Sequence, residues 1–152
     1  MKTLVLVLFL ALTLGIGMAG GVATTESVNS WYPGLMKPKW NPPAWVFGPV
    51  WTVLYILMGV SAWRVWLTGS FWGAPAIIFG LQLALNLAWS WIFFHQKQPG
   101  MAFFEILILL LSIVVMIVIF GRVDVVAARL QIPYALWVSF ATVLNFSIWR
   151  LN

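Results

Sequence analysis

Cysteine is absent from the 152 residues, and only three residues are acidic against eight basic ones. Without cysteine there are no disulfides and no thiolate chemistry, and the redox compartment cannot be read. The single histidine, His95, has no second histidine or cysteine with which to build a metal site. It falls at the end of an apolar run beside Gln96 and Lys97, where it serves no serine as a base, so a hydrolase fails on inventory. Haem iron is often held by a histidine, but one at a membrane edge needs no such role. Charged residues are 7% of the chain, and the bases behind the net charge of +5 are scattered. Nucleic-acid binding therefore has no support. Neither an inverted repeat nor an interrupted helix pair marks a transporter core.

What is present is hydrophobic: 63% of the residues. A soluble domain of this size needs far more polar surface, so the chain belongs in lipid. A helix needs about 20 apolar residues to cross the hydrocarbon core. Stretches at roughly 3–25, 45–67, 73–94, 101–121 and 129–150 meet that length. The expected fold is all-α, an integral, multi-pass bundle of five transmembrane helices forming a single domain over 1–152. Lys2, the apolar run to Leu14 and the small residues Gly15–Gly21 also fit a cleavable signal peptide. The length through Thr25 favours a first transmembrane helix. Pro49 and Pro133 each should bend a helix or mark its true first turn. Lys and Arg divide evenly between the two faces of such a bundle, so the positive-inside rule does not orient it.

The connection 26–44 is far longer than the usual loop of about 4–6 residues. Four prolines stiffen it, and Trp31, Tyr32 and Trp40 give it apolar weight. It reads either as an interfacial aromatic belt or as a lid over a site. Asn41 before Pro42 and Pro43 reads as the cap of the next helix. Beyond it Trp51, Tyr55 and Gly59 recur every four residues along one stripe, the lining that a pocket for a flat, apolar ligand would need. Of eleven tryptophans most sit near helix ends, as belt residues do. Trp51 and Trp137 are too deep for that. A buried indole N–H without a partner costs about 1–3 kcal/mol, so each needs an acceptor in the protein or in a ligand.

The third helix has two faces. Ala76, Gly80, Ala84 and Ala88 form a small-residue stripe, while Gln82, Asn86 and Trp89 lie opposite. Polar side chains avoid lipid, so Gln82 and Asn86 should point inward. The stripe then packs on a neighbouring helix of the same chain or forms a homodimer seam. Glu105, Asn145, Trp51 and Asn86 fall within one band of depth about 10 Å wide beneath the long loop. Tyr55, Gln82 and Trp137 lie deeper. Such a gathering marks a site or a network that only ties helices together.

The stretch 31–66, with Gln82, Leu85-Asn86, Trp89, Phe94, Pro99, Ala102 and Glu105, then Asp124, Ala127, Pro133-Tyr134, Trp137, Leu144-Asn145, Trp149 and Leu151-Asn152, closely resembles the tryptophan-rich sensory protein family, also called translocator or peripheral benzodiazepine receptor proteins. The resemblance covers most of the chain. It implies a five-helix membrane bundle that binds tetrapyrroles, sterols and isoquinoline-type drugs, with some members dimeric. It implies that Trp51 and Trp137 donate to a ligand carbonyl. The candidate ligand-binding residues are Tyr32, Pro42, Trp51, Tyr55, Asn86, Trp89, Trp137, Ala141 and Asn145. Ala76, Gly80, Ala84 and Ala88 are the candidate dimer interface. No resident cofactor or metal is expected; porphyrin or haem would be a ligand. A sterol is less secure, because Phe146 stands where the family's C-terminal sterol motif has tyrosine, although Arg129, Tyr134 and Leu136 meet the inverted form. The function is expected to be receptor- or sensor-like. A tetrapyrrole or sterol transporter and a light-dependent breakdown of porphyrin, reported for some relatives and resting here on Trp51 and Trp137, are the alternatives.

Overall fold

The computed structural model describes residues 1–152 and is all-helical. Its helices are α1 (Lys2–Asn29), α2 (Ala44–Leu67), α3 (Ala74–Ser90, extended by a π turn Trp91–His95), α4 (Pro99–Gly121), α5 (Val125–Leu130) and α6 (Ile132–Leu151). Five spans are long and apolar enough to cross a membrane, α5 and α6 together making the last. The chain is an integral, multi-pass membrane protein. Its outer surface carries Leu8, Val53, Ile108, Leu111, Val118 and Leu136 exposed, a face suited to lipid rather than water.

The boundaries depart from expectation where polar side chains act locally. α1 runs to Asn29 instead of stopping near residue 25, which shortens the connection to 30–43. Thr24 and Thr25 donate to the Gly21 carbonyl and Asn29 to that of Thr25, so these polar residues are satisfied by the helix they extend. Asn41 does not cap α2. Pro43 precedes the first turn, and Asn41 is turned into the loop, where it accepts from the Tyr32 hydroxyl at 3.1 Å. Pro49 lies inside α2, while Pro133 sits in the first turn of α6. The fifth span is broken at Gln131: Asp124 starts a short helix through bonds from the Val126 and Ala127 N–H groups, and Pro133 has no N–H to return to the Arg129 carbonyl. Partial burial pushes the Asp124 carboxyl up. The Ala127 N–H, the Arg64 guanidinium and the Val126 N–H outweigh that and hold it below the usual carboxylate range. Arg64 reaches it at 2.9 Å, fastening the end of α2 to the α4–α5 turn.

Around the bundle α1 packs on α2 and α3, α4 lies between α3 and α6, and α5 bridges α4 and α2. The half away from the long loop is solid: Met58, Ala62, Val65, Ile113, Met116, Phe120, Ala127 and Val138 are fully buried in one cluster. A smaller cluster of Tyr32, Phe93, Ala102, Leu144 and Ile148 lies under the loop. Gly59, the third member of the Trp51 stripe, belongs to the solid half. A Cβ there would lie 2.9 Å from Leu10 Cδ2 and 3.2 Å from Leu10 Cα. Gly59→Val should therefore lower stability in detergent by about 1–3 kcal/mol through overpacking. An unchanged melting temperature would show that α1 and α2 are not in tight contact here.

Candidate ligand-binding site

Between the two clusters lies a cavity of about 540 Å³, walled by α1, α2, α6 and the end of α3. That is within the range of about 300–1,000 Å³ usual for small-molecule sites. Tyr32 roofs it, and Trp51, Tyr55, Trp89, Trp137, Ala141 and Asn145 lie in its walls. Of the nine expected residues, Pro42 and Asn86 do not reach the cavity surface. Pro42 is in the loop, and Asn86 stands behind Tyr55.

Tyr55 is the hinge between cavity and bundle. Its ring stacks on Trp51 with centroids 5.7 Å apart. Its hydroxyl donates to Asn86 Oδ1 at 2.6 Å; Asn86 Nδ2 donates to the Tyr134 hydroxyl at 2.8 Å, which donates to Gln82 Oε1 at 2.8 Å. One buried chain thus joins α2, α3 and α6, and Tyr55, its one member in the lining, gives the cavity its floor. Gln82 and Asn86 point inward, as the polar face of α3 requires. Glu105 does not join them: its carboxylate oxygens are shielded without a partner, and it lies outside the cavity wall, to which α4 contributes nothing. Tyr134, the aromatic member of the inverted sterol motif, is fully buried, whereas Leu136 faces outward.

The other wall tryptophans differ in what they offer. Trp89 donates to Asn145 Oδ1 at 2.9 Å, and Asn145 Nδ2 donates to the Pro99 carbonyl at 2.7 Å, so this pair is internally satisfied. Trp137 Nε1 is buried with no acceptor. Its ring meets Phe47 and Phe140 at 5.8 and 5.4 Å. The Trp51 indole, also in the lining, meets no protein acceptor either, so the site is an apolar slot with unpartnered indole donors, the Trp137 one fully shielded.

The roof is pinned. Lys37 Nζ donates to the carbonyls of Tyr32 and Leu35 at 2.8 and 2.9 Å, and sits 4.8 Å above the Tyr32 ring. Asn152 pairs with both main-chain groups of Met36, and Trp40 packs edge-on against Phe140. Burial pushes the Tyr32 phenol up against the smaller lowering from Asn41, so it stays a neutral donor. His95 is exposed and stacked on Trp91 at 4.1 Å, away from the cavity. No three metal-ligating side chains come together.

The α1 wall has no counterpart in the sequence reading. Leu14, Gly17, Met18, Gly21, Thr24 and Val28 line the cavity. The readable signal is Gly17, where a Cβ would stand 2.6 Å from the Tyr55 ring; only glycine leaves that ring its place.

The TspO/MBR family pattern matches residues 9–150. The chain is 42% identical to the tryptophan-rich protein TspO of Chlorobaculum tepidum, over 99% of this chain and 98% of that one. It is 44% identical to the translocator protein of Homo sapiens, over 80% of this chain and 75% of that one. It is 38% identical to the protein CrtK of Rhodobacter capsulatus, over 97% and 94%.

The floor yields a stability test. Asn86→Leu strands the Tyr55 hydroxyl and should cost about 1–3 kcal/mol, read as a lower melting temperature in detergent. Adding Tyr55→Phe should recover much of the loss, because removing both partners is cheaper than removing one. No recovery would mean that Asn86 acts through packing.

Proposed function

The chain belongs to the TspO/MBR family, and on that premise we propose that it is a receptor- or sensor-type membrane protein whose cavity beneath the 30–43 connection takes a flat, apolar tetrapyrrole such as a porphyrin. The observation that carries this is Trp137. A buried indole N–H with no acceptor, in the wall of an aromatic slot, is completed by an acceptor on the ligand. Trp51 and Tyr55 supply a π-face for stacking. Porphyrin carboxylates would reach the loop side, where Lys39 is exposed while Lys37 is held by loop carbonyls. Sterol binding has less support, since Tyr134 is fully buried and committed to Asn86 and Gln82 in the hydrogen-bond chain behind Tyr55. Trp51→Phe and Trp137→Phe should each weaken porphyrin binding by about 1–2 kcal/mol, the scale of one buried hydrogen bond plus packing. Wild-type affinity in the double variant, measured by absorbance titration, would remove the assignment.

The Trp51–Tyr55 stack favours a second reading. The stack orients the Trp51 indole, which can pass an electron to a photoexcited pigment held against it, with dissolved dioxygen as the oxidant that carries the breakdown to product. The double variant should then give no photoproduct at saturating porphyrin. Chromatography of the same illuminated samples decides, and intact yield at full occupancy would assign the chemistry to the pigment alone.

Assembly as a homodimer through α3 is part of the same proposal. Gly80 and Ala84 are exposed, with open space at the Gly80 Cβ position, and Ala76 and Ala88 are half-buried. The stripe thus offers a close-approach surface to a second copy. Gly80→Leu should shift the detergent-solubilised protein to monomer; an unchanged mass by light scattering would place the seam elsewhere.

A further inference from the structure

The ligand cavity shares a wall with a second hollow. On the outer surface, between α2 and α6, lies a groove of about 580 Å³ lined by Pro49, Val53, Leu54, Pro133, Leu136 and Trp137 among others, all apolar or aromatic. Val53 and Leu136 are 55% and 67% exposed, so the groove faces the bilayer. Trp137 is the one residue that lines both hollows. Its indole is therefore a partition, one ring thick, between the inner slot and the lipid.

That partition is lightly held. Trp137 Nε1 has no acceptor, and the ring rests on the aromatic faces of Phe47 and Phe140. Both banks are built to give. Pro49 removes from α2 the N–H that would reach the Trp45 carbonyl, and α6 starts at the Gln131 break with Pro133 in its first turn. The loop side is the opposite case: Lys37 and Asn41 stiffen the loop from within, and Asn152 ties Met36 to the end of α6 by two hydrogen bonds.

We propose that the α2–α6 groove is a lateral portal, through which the pocket's ligand passes from the bilayer by displacing the Trp137 indole. The occupant is the cavity's own flat, apolar ligand, and the assignment rests on the pocket reading above. Continuity of groove and cavity at a single side chain supports it, as does the unpartnered donor. The indole swings aside, then closes behind the ligand and donates Nε1–H to its edge. Trp137 is thus gate as well as contact, and the loop stays shut throughout.

The absence of cysteine makes the test specific. Leu136→Cys and, on the facing bank, Val53→Cys would be labelled separately with a bulky maleimide in protein reconstituted into liposomes. Met36→Cys, on the exposed part of the loop, is the comparison. Association and dissociation of protoporphyrin IX are followed by quenching of tryptophan fluorescence. Plugging either bank should slow both rates by about tenfold or more with little change in affinity, as blocking a path without altering the bound state requires. The Met36 label should leave both rates as they were. Unchanged rates with both banks labelled, or slowing by the Met36 label alone, would overturn the portal while leaving the pocket standing. Failure of the unlabelled variants and of the parent chain to bind the porphyrin would overturn the pocket reading, and the portal with it.

Discussion

Hydrocarbon offers a polar side chain no partner, and the buried run Tyr55–Asn86–Tyr134–Gln82 is where this bundle meets that constraint. Helices in lipid are not driven together by the hydrophobic effect; packing and interhelical hydrogen bonds do that work. Three bonds here fix the relative rotation of α2, α3 and α6 at one level. Away from the loop, fully buried side chains such as Met58, Ile113 and Phe120 fill the interior. Toward the loop, α1, α2, α6 and the end of α3 surround the aromatic slot. The chain of hydrogen bonds is the boundary between a half that is core and a half that is cavity. It also orients the Tyr55 ring, so the slot inherits its aromatic floor from a structural element.

The five spans were legible because hydropathy over about 20 residues is a strong signal, and lipid leaves few other solutions. Helix ends were less so. Glu26–Asn29 read as loop because they are polar, yet a helix end that reaches water accepts polar residues when they bond to its own carbonyls. Asn41 had the chemistry of a cap, but a nearby phenol, Tyr32, competed for its oxygen and took it. The break at Gln131 follows from Asp124 starting a short helix of its own and from the N–H that Pro133 lacks, which a continuous apolar window passes over.

The site was half legible. Tryptophans too deep for a belt, and polar residues on one face of α3, pointed to the end of the bundle where the cavity lies. Which polar groups face ligand and which face each other depends on side-chain reach and helix rotation, so Asn86 and Tyr55 looked alike until Tyr55 proved to cover Asn86. Glu105 shows the limit of depth as a guide: the same level in the membrane does not mean the same side of a helix. The α1 wall was hidden because its members are small or ordinary apolar residues. Gly17 matters for the atoms it lacks beside Tyr55.

Loop and groove give the cavity two unequal sides. A loop stiffened from within by Lys37 and Asn41 and tied to the end of α6 by the paired Asn152–Met36 bonds opens as a unit only if both of those break, each worth about 0.5–1.5 kcal/mol net. An indole against phenylalanine rings, with no hydrogen bond to lose, has only aromatic contacts of about 0.5–1.5 kcal/mol each beyond their area to give up. Lipid then replaces much of the dispersion contact that the ring leaves behind. An apolar ligand is already concentrated in the bilayer, so the cheaper opening is also the one that faces its reservoir. The missing acceptor at Trp137 fits both of its proposed roles, contact and gate. An acceptor supplied by the protein would have satisfied the indole, and in doing so would have fixed it across the path and removed the shielded donor from the slot.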